Sequence, residues 1–269
     1  MCLRVCCGAL ALMVVAGQQP PRPGTVSANL LERARDAIAS AEVRRELKSL
    51  RLDIERTAVQ LETGWTRTGG LTLDYLIPDG FLRTSRPTAP LPGMSVVAGP
   101  GSDGFRGDRL IRRVSPGPGN PTLRALPDTE TREEVAEVRM EASVGLAALL
   151  LAPETPVHLD YRHVGTAESK DGRADVIDAT GAGPVSLRLF LDQATHQVLM
   201  MTVARPSRGV GRLEQRWYLS DAKSSSGLVL PRSIVIEGPR FREQWRVKAV
   251  EVNGRLPADL AERHLPGWF

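Results

Sequence analysis

Ser220-Asp221-Ala222-Lys223 has the Ser-x-x-Lys spacing in which a lysine amine can take the proton of a serine nucleophile. That chemistry needs the serine at a helix start and Ser-Asp-Asn and Lys-Thr-Gly partners, and the chain contains neither partner. A solvated hairpin closing at Ser224-Ser225-Ser226-Gly227 accounts for the residues. Gly99-Pro100-Gly101-Ser102-Asp103-Gly104 spells a dinucleotide fingerprint, but no strand precedes it and no helix pattern follows, so it reads as a loop. The histidines are His158, His163, His196 and His264. His158 and His163 are five apart, which puts them on opposite faces of a strand and about 140° apart on a helix, so their spacing makes no metal site. His196 is expected in a turn, with a structural hydrogen bond to backbone. Arg106-Gly107-Asp108 fits a hairpin turn, and the carboxylate pairs Asp175 with Asp178 and Glu133 with Glu134 are expected to be solvated. Hydrolysis would have to use Ser220 or His196, and neither has a base and an orienting group in the sequence pattern. The chain is expected not to be an enzyme, and no cofactor or metal is implied.

The compartment follows from the cysteines. All three, Cys2, Cys6 and Cys7, fall in an opening segment with one basic residue, Arg4, and an apolar stretch from Val5 to Val15. This has the outline of a secretory signal peptide over residues 1–17, with Val15-Ala16-Gly17 as the small-residue cleavage site. The mature chain would then lack cysteine, and with it any disulfide or thiolate chemistry. An exported, periplasmic location is expected. Arginine supplies 31 of the 35 basic residues, but the charges are scattered and aromatics make up only 4%. Neither a basic stripe nor a stacking platform for nucleic acid is present.

Residues 18–27 are rich in Pro and Gly and read as a flexible arm, and residues 28–269 as one domain. Leu30, Leu31, Ala34, Ala37, Ile38 and Ala41 mark one face of a first helix over Ala28 to Ala41. A second opens at Pro127 and Asp128, with Thr131 and Glu134 at capping-box spacing. It ends in Val144 to Ala152, apolar on every side, before Pro153. Period-two alternation predicts strands at Leu50 to Glu55, Leu71 to Tyr75, Phe81 to Thr84 and Arg109 to Val114. It predicts a meander from Asp171 to Met200, in which Leu187, Leu189 and Leu191 alternate with Arg188 and Asp192. Further strands are Gln215 to Leu219, Gly227 to Pro231, Ser233 to Ile236 and Glu243 to Val250, and the tail from Leu256 reads as a short helix and coil. The count is ten or eleven antiparallel strands against two principal helices, an α+β fold.

The order of several short motifs resembles the LolA-like family of periplasmic lipoprotein carriers. In the first half these are Pro78-Asp79-Gly80-Phe81-Leu82-Arg83 and a Ser102-Asp103-Gly104 turn. In the second half they are Asp171-Gly172-Arg173, Leu191-Asp192 with Thr195-His196, Ser220-Asp221, Gly227-Leu228-Val229-Leu230-Pro231 and Val250-Glu251-Val252-Asn253. The resemblance implies an incomplete, strongly curved antiparallel half-barrel wrapped over helices, with an apolar cavity for lipid acyl chains. It implies a carrier, expected to be monomeric, whose partners are acyl chains of lipid or lipoprotein, a membrane donor complex and an acceptor. In the enterobacterial carrier an arginine tied to lipoprotein transfer precedes the proline of the first motif. Here that position is Ile77, which points to general lipid binding.

Candidate cavity residues are the inward positions of the strands and the apolar helix end. On the strands these are Leu50, Leu52, Ile54, Leu73, Tyr75, Phe81, Leu187, Leu189, Val198, Met200, Trp217 and Trp245, and on the helix Leu146, Leu149 and Leu150. Acyl chains buried there would bind at about 0.8 kcal/mol per methylene with no covalent chemistry. The alternative is an envelope sensor or interaction module whose concave face takes a protein or peptide.

Overall fold

The computed structural model describes residues 23–87, 101–114, 132–169, 172–181, 185–207 and 211–261. The expected signal peptide, the first part of the arm, the Pro127 to Thr131 helix opening and the tail beyond residue 261 lie outside them.

The strands are β1 (Ser49–Gln60), β2 (Thr66–Leu76), β3 (Gly80–Pro87), β4 (Gly101–Arg106), β5 (Arg109–Val114), β6 (Leu159–Ser169), β7 (Gly172–Gly181), β8 (Ser186–Asp192), β9 (Val198–Ser207), β10 (Gly211–Ser225), β11 (Leu228–Glu237) and β12 (Phe241–Val252). All twelve form one antiparallel sheet in the order β5-β4-β3-β2-β1-β12-β11-β10-β9-β8-β7-β6. It is a curved, open sheet. The β1·β12 pairing closes the chain's two halves onto each other, with Leu50 opposite Val252 and Gln60 opposite Phe241.

Four helices accompany it: α1 (Pro23–Ile38), α2 (Ala41–Glu46), α3 (Arg132–Leu150) and α4 (Ala258–Ala261). Helix α1 starts inside the segment expected as an arm, and it stops three residues before Ala41. Ser40 ends it by capping α2, its Oγ accepting from Val43 N at 3.3 Å. Leu30, Leu31, Ala34 and Ile38 are the buried stripe of α1, which touches β6 and β11. Helix α3 touches β4, β5 and β9, and from Ala142 to Leu150 every residue is buried. The helix stops at Leu151, whose φ of 47° cannot continue it, and the Leu151 carbonyl accepts from Arg35 Nε of α1 at 2.9 Å. Ser143 then ties the return segment to the helix, accepting from Val157 N at 2.9 Å while donating to Arg139 O at 2.8 Å.

Several expectations need correcting. There are twelve strands among the described residues because β4 and β6 were not anticipated, although one of the expected strand pairs is a single strand. Ser102-Asp103-Gly104 is no turn but the middle of β4. Gly104 lets the strand lie tight on β3, where a Cβ would overlap the Phe81 carbonyl oxygen. Gly227 to Pro231 and Ser233 to Ile236 are not two strands, since β11 runs through both. Pro231 is tolerated because β12 pairs only with Ser233 to Glu237, beyond the missing N–H. Ser220 to Lys223 also belongs to a strand, β10, with the turn following at Ser226-Gly227.

Candidate functional site

Alternation places Leu50, Leu52 and Ile54 of β1 on the concave side with Leu73 and Tyr75 of β2, Phe81 of β3, and Leu187, Leu189 and Leu191 of β8. All are at most 4% exposed. They form one continuous apolar cluster with α1 and with Leu146, Leu149 and Leu150 of α3. Tyr75 meets Phe81 with ring centroids 5.0 Å apart. Burial pushes the Tyr75 phenol well above its ordinary range, as it does that of Tyr161 on β6, raised to about 12.

The cluster leaves an apolar gap among the described residues. A cavity of about 270 Å³ opens where the last turn of α1 and the end of α3 meet the β8–β9 turn and the β10·β11 hairpin. Its walls are Ile38, Ala148, Leu149, Val198, Leu199, Leu219, Ala222, Val229 and Pro231, with Gln197, Ser220 and Asp221 as polar members. Of the residues expected from sequence, Leu149 and Val198 line it. Leu50, Leu52, Ile54, Leu73, Tyr75, Phe81, Leu146, Leu150, Leu187 and Leu189 lie in the packed cluster. Trp217 and Trp245 are half-buried against that cluster, edge to face at 5.6 Å, two residues along the concave face from Leu219 in the case of Trp217. The Trp245 indole donates to Glu243, which also pairs with Arg56, whereas the buried Trp217 Nε1 has no hydrogen-bond partner among the described residues.

Met200 lies on the opposite face. Phe190 pairs with Met200 but Leu191 with Val198, so Leu199 is an extra residue bulged out of β9, and the inward position passes to Met201, fully buried opposite Leu189. Ile38, Ala148, Leu219 and Val229 were missed. Each belongs to a recognisable periodic face, but which faces stop short of one another depends on tertiary packing.

The concave side also carries polar residues that the apolar pattern concealed. Arg83 on β3 points inward, pairing with Glu141 of α3 and, at 3.2 Å, with Asp103 of β4. Arg112 of β5 extends the cluster to Asp103 at 3.4 Å and to Glu134 of α3 at 3.6 Å. Partial burial raises the Glu141 carboxyl above its ordinary range despite Arg83 beside it. These pairs pin α3 over the β3–β5 half of the sheet.

The chemistry weighed from the sequence is not assembled. Ser220 and Lys223 are separated along β10, and the Lys223 amine pairs with Asp221 at 3.2 Å. His196, with a φ of 58°, sits in a turn organised by Asp192, whose Oδ1 accepts from Ala194 N, Thr195 N and Thr195 Oγ1. Those bonds, the Thr195 backbone first, hold the Asp192 carboxyl below its usual range. The backbone of His196 donates to Asp192 O, but its imidazole Nδ1 is buried with no hydrogen-bond partner among the described residues, contrary to expectation. Asp175 and Asp178 face opposite sides of β7. Asp178 is held by a two-pronged Arg188 contact at 2.7 and 3.0 Å. Asp175 is not solvated but 17% exposed on the concave side, 3.5 Å from His163 Nε2. No group of three or more metal-ligating side chains occurs among the described residues, and no described helix is long and apolar enough to cross a membrane.

No family model and no curated protein matches the sequence. Among solved structures the chain is similar to a LolA superfamily protein of Nitrosomonas europaea, with a TM-score of 0.52 at 11% identity over 86% of this chain and 94% of that one. Lower likenesses are to an outer membrane lipoprotein-sorting protein domain of Vibrio parahaemolyticus (TM-score 0.46, 11% identity, 87% and 96% covered) and to a DUF1329 family protein of Desulfovibrio piger (0.44, 8%, 87% and 95%). The likeness to the Nitrosomonas europaea protein shows the fold, which is LolA-like.

Proposed function

We propose that this protein is an exported, non-enzymatic carrier in which the curved sheet forms a half-barrel over α1 and α3 and takes a hydrophobic ligand, the acyl chain of a lipid or lipoprotein. The observation that carries the reading is the apolar cavity between Ile38, Leu149, Val198, Leu219 and Val229, at the seam where helix ends and sheet fail to meet. At about 270 Å³ it falls just below the range of ~300–1,000 Å³ usual for small-molecule pockets. It therefore takes part of one chain, and a longer chain has to displace the apolar end of α3. Eight methylenes at ~0.8 kcal/mol each give roughly 6 kcal/mol before the costs of association. The leader over residues 1–17, cleavage before Gln18 and a single domain from residue 28 belong to the same reading, as do a membrane donor, an acceptor and a monomeric carrier.

A fluorescent fatty-acid probe titrated into the purified protein tests this, together with lipid extraction and native mass spectrometry of the protein as isolated. Saturable probe binding, with a co-purifying lipid that the probe displaces, is the expected result. A protein that carries no lipid and does not take up the probe is not a carrier.

A further inference from the structure

A second pocket lies on the other side of the sheet. Arg51 of β1, Asp74 of β2 and Leu82 of β3 share one cross-strand row facing away from the concave core, since their neighbours Leu50, Leu73 and Phe81 point into it. After β12 the chain turns at Asn253, whose Oδ1 accepts from Lys48 N and Ser49 N, and folds back over this row. Helix α4 fastens the fold-back. Leu260 is fully buried and reaches the sheet at Gly80, where a Cβ would come within 3.2 Å of it. Between sheet and fold-back remains a polar cavity of about 360 Å³.

Asp74 sits in its floor. The residue is only 2% exposed, and its Oδ1 is buried yet accepts no hydrogen bond; the nearest cation, Arg51 Nη1, stands 3.5 Å away and is shared with Asp53. A buried carboxylate oxygen without a donor is costly unless something supplies one. Arg86 of β3 and Arg255 of the fold-back line the pocket from the sheet and from the returning tail, and both are exposed. Thr84 and Ser102, hydrogen-bonded to each other at 3.1 Å, line the same wall as Arg86. The cradle thus offers three guanidinium groups, Arg51 beside Asp74 and Arg86 and Arg255 from different elements, against two carboxylates, Asp74 in the floor and Asp259 of α4. A carboxylate can be satisfied by a single arginine fork, whereas a tetrahedral phosphate has oxygens to offer both walls at once.

We propose that this outer pocket binds a phosphate group bearing a neighbouring hydroxyl, the phosphate held between Arg86 and Arg255 and the hydroxyl donating to Asp74 Oδ1. Glycerol phosphate is the simplest molecule of this chemistry, and it exists both free and as a lipid headgroup. The proposal does not depend on the acyl-chain cavity, which lies across the sheet.

The test is calorimetric titration of the full chain with glycerol 3-phosphate and with inorganic phosphate, and sedimentation with phosphatidylcholine vesicles with and without phosphatidylglycerol. Glycerol 3-phosphate is expected to bind at least about tenfold tighter than inorganic phosphate, a difference of one hydrogen-bonded group. Arg86→Gln combined with Arg255→Gln, at exposed positions that leave folding intact, should weaken both ligands about tenfold or more. Asp74→Leu, which removes the unpartnered carboxylate, should erase the preference for glycerol 3-phosphate while sparing inorganic phosphate. Binding of free glycerol 3-phosphate identifies a soluble ligand. Binding only to phosphatidylglycerol vesicles, lost in the double arginine variant, identifies the headgroup. Binding to neither, or binding unchanged in the double arginine variant, overturns the proposal.

Discussion

Tyr75 of β2 and Gly145 of α3 meet so closely that a Cβ on residue 145 would overlap the phenol oxygen and lie 3.3 Å from Cζ. Glycine in a helix interior normally costs about 1 kcal/mol relative to alanine. Here it allows the helix to approach the concave face, and Tyr75, 2% exposed, has nowhere to move. Gly145→Ala is therefore expected to destabilise the fold by about 1–3 kcal/mol despite the better helix former. The loss should shrink in a Tyr75→Phe background, where the overlapping oxygen is gone. Urea unfolding of the four proteins of this cycle measures it, and equal losses in both backgrounds would refute the contact.

The bulge at Leu199 makes a sharp distinction between adjacent methionines. Met201 is fully buried opposite Leu189, and Met200 is a half-buried residue of the outer face beside Phe190. Met201→Ala should cost about 2–5 kcal/mol, as for other core truncations. Met200→Ala should stay within about 1 kcal/mol. Thermal or chemical unfolding distinguishes them, and a reversed order would place the register one residue away.

That pair also marks how far a sequence can be read. Strict alternation made Leu187, Leu189 and Leu191 legible as one inward face, and the unbroken apolar run from Val144 to Leu151 was legible as a helix end surrounded by core. Bulges were not legible. Register shifts by one residue near Val164 in β6, Leu199 in β9 and Lys248 in β12, and period-two counting carried across such a point assigns the wrong face. Val164 and Leu199, at 45% and 42% exposed, look like core residues in the sequence because they are the extra ones. Arg83 and Asp103 were hidden differently, as inward charges made possible by Glu141 and Arg112, which the chain brings from other elements. The outer pocket escaped notice because its far wall is the tail, whose course over the sheet depends on Asn253 and Leu260 rather than on any local pattern.

Stability should peak on the acidic side of neutrality. Burial raises Asp74 from an ordinary 3.8 to about 6, only partly opposed by Arg51, and raises Glu141 as well. The folded state then holds protons that the unfolded chain releases, so stability falls as pH rises through the interval between the unfolded and folded values. For Asp74 the fall between about pH 4 and pH 7 is bounded at roughly 3 kcal/mol. Asp178, held by Arg188, and Asp192, held by the Thr195 backbone, are lowered and act oppositely: their contribution is present above the unfolded value and lost below it. Melting temperature should pass through a maximum near pH 5, and Asp74→Asn should flatten the decline toward pH 7. A variant with an unchanged decline would show that Asp74 is ionised in the fold at no cost.

The acyl-chain reading can be tested without disturbing the packed cluster, because Val229 is a half-buried wall of the cavity rather than part of that cluster. Val229→Phe adds volume where there is a gap of about 270 Å³, so the larger ring can enter without the strain that overpacking brings elsewhere. The expected outcome is a melting temperature equal to or above that of the parent, with fatty-acid probe binding weakened at least about tenfold, the equivalent of roughly 1.4 kcal/mol or two methylenes. Leu187→Ala makes the opposite control. It lies in the cluster, should cost about 2–5 kcal/mol, and should leave a protein that still takes up the probe while folded. If Val229→Phe binds the probe as the parent does, the ligand does not enter between α1, α3 and the β10·β11 hairpin. The half-exposed Trp217 and Trp245 face would then be the place to look.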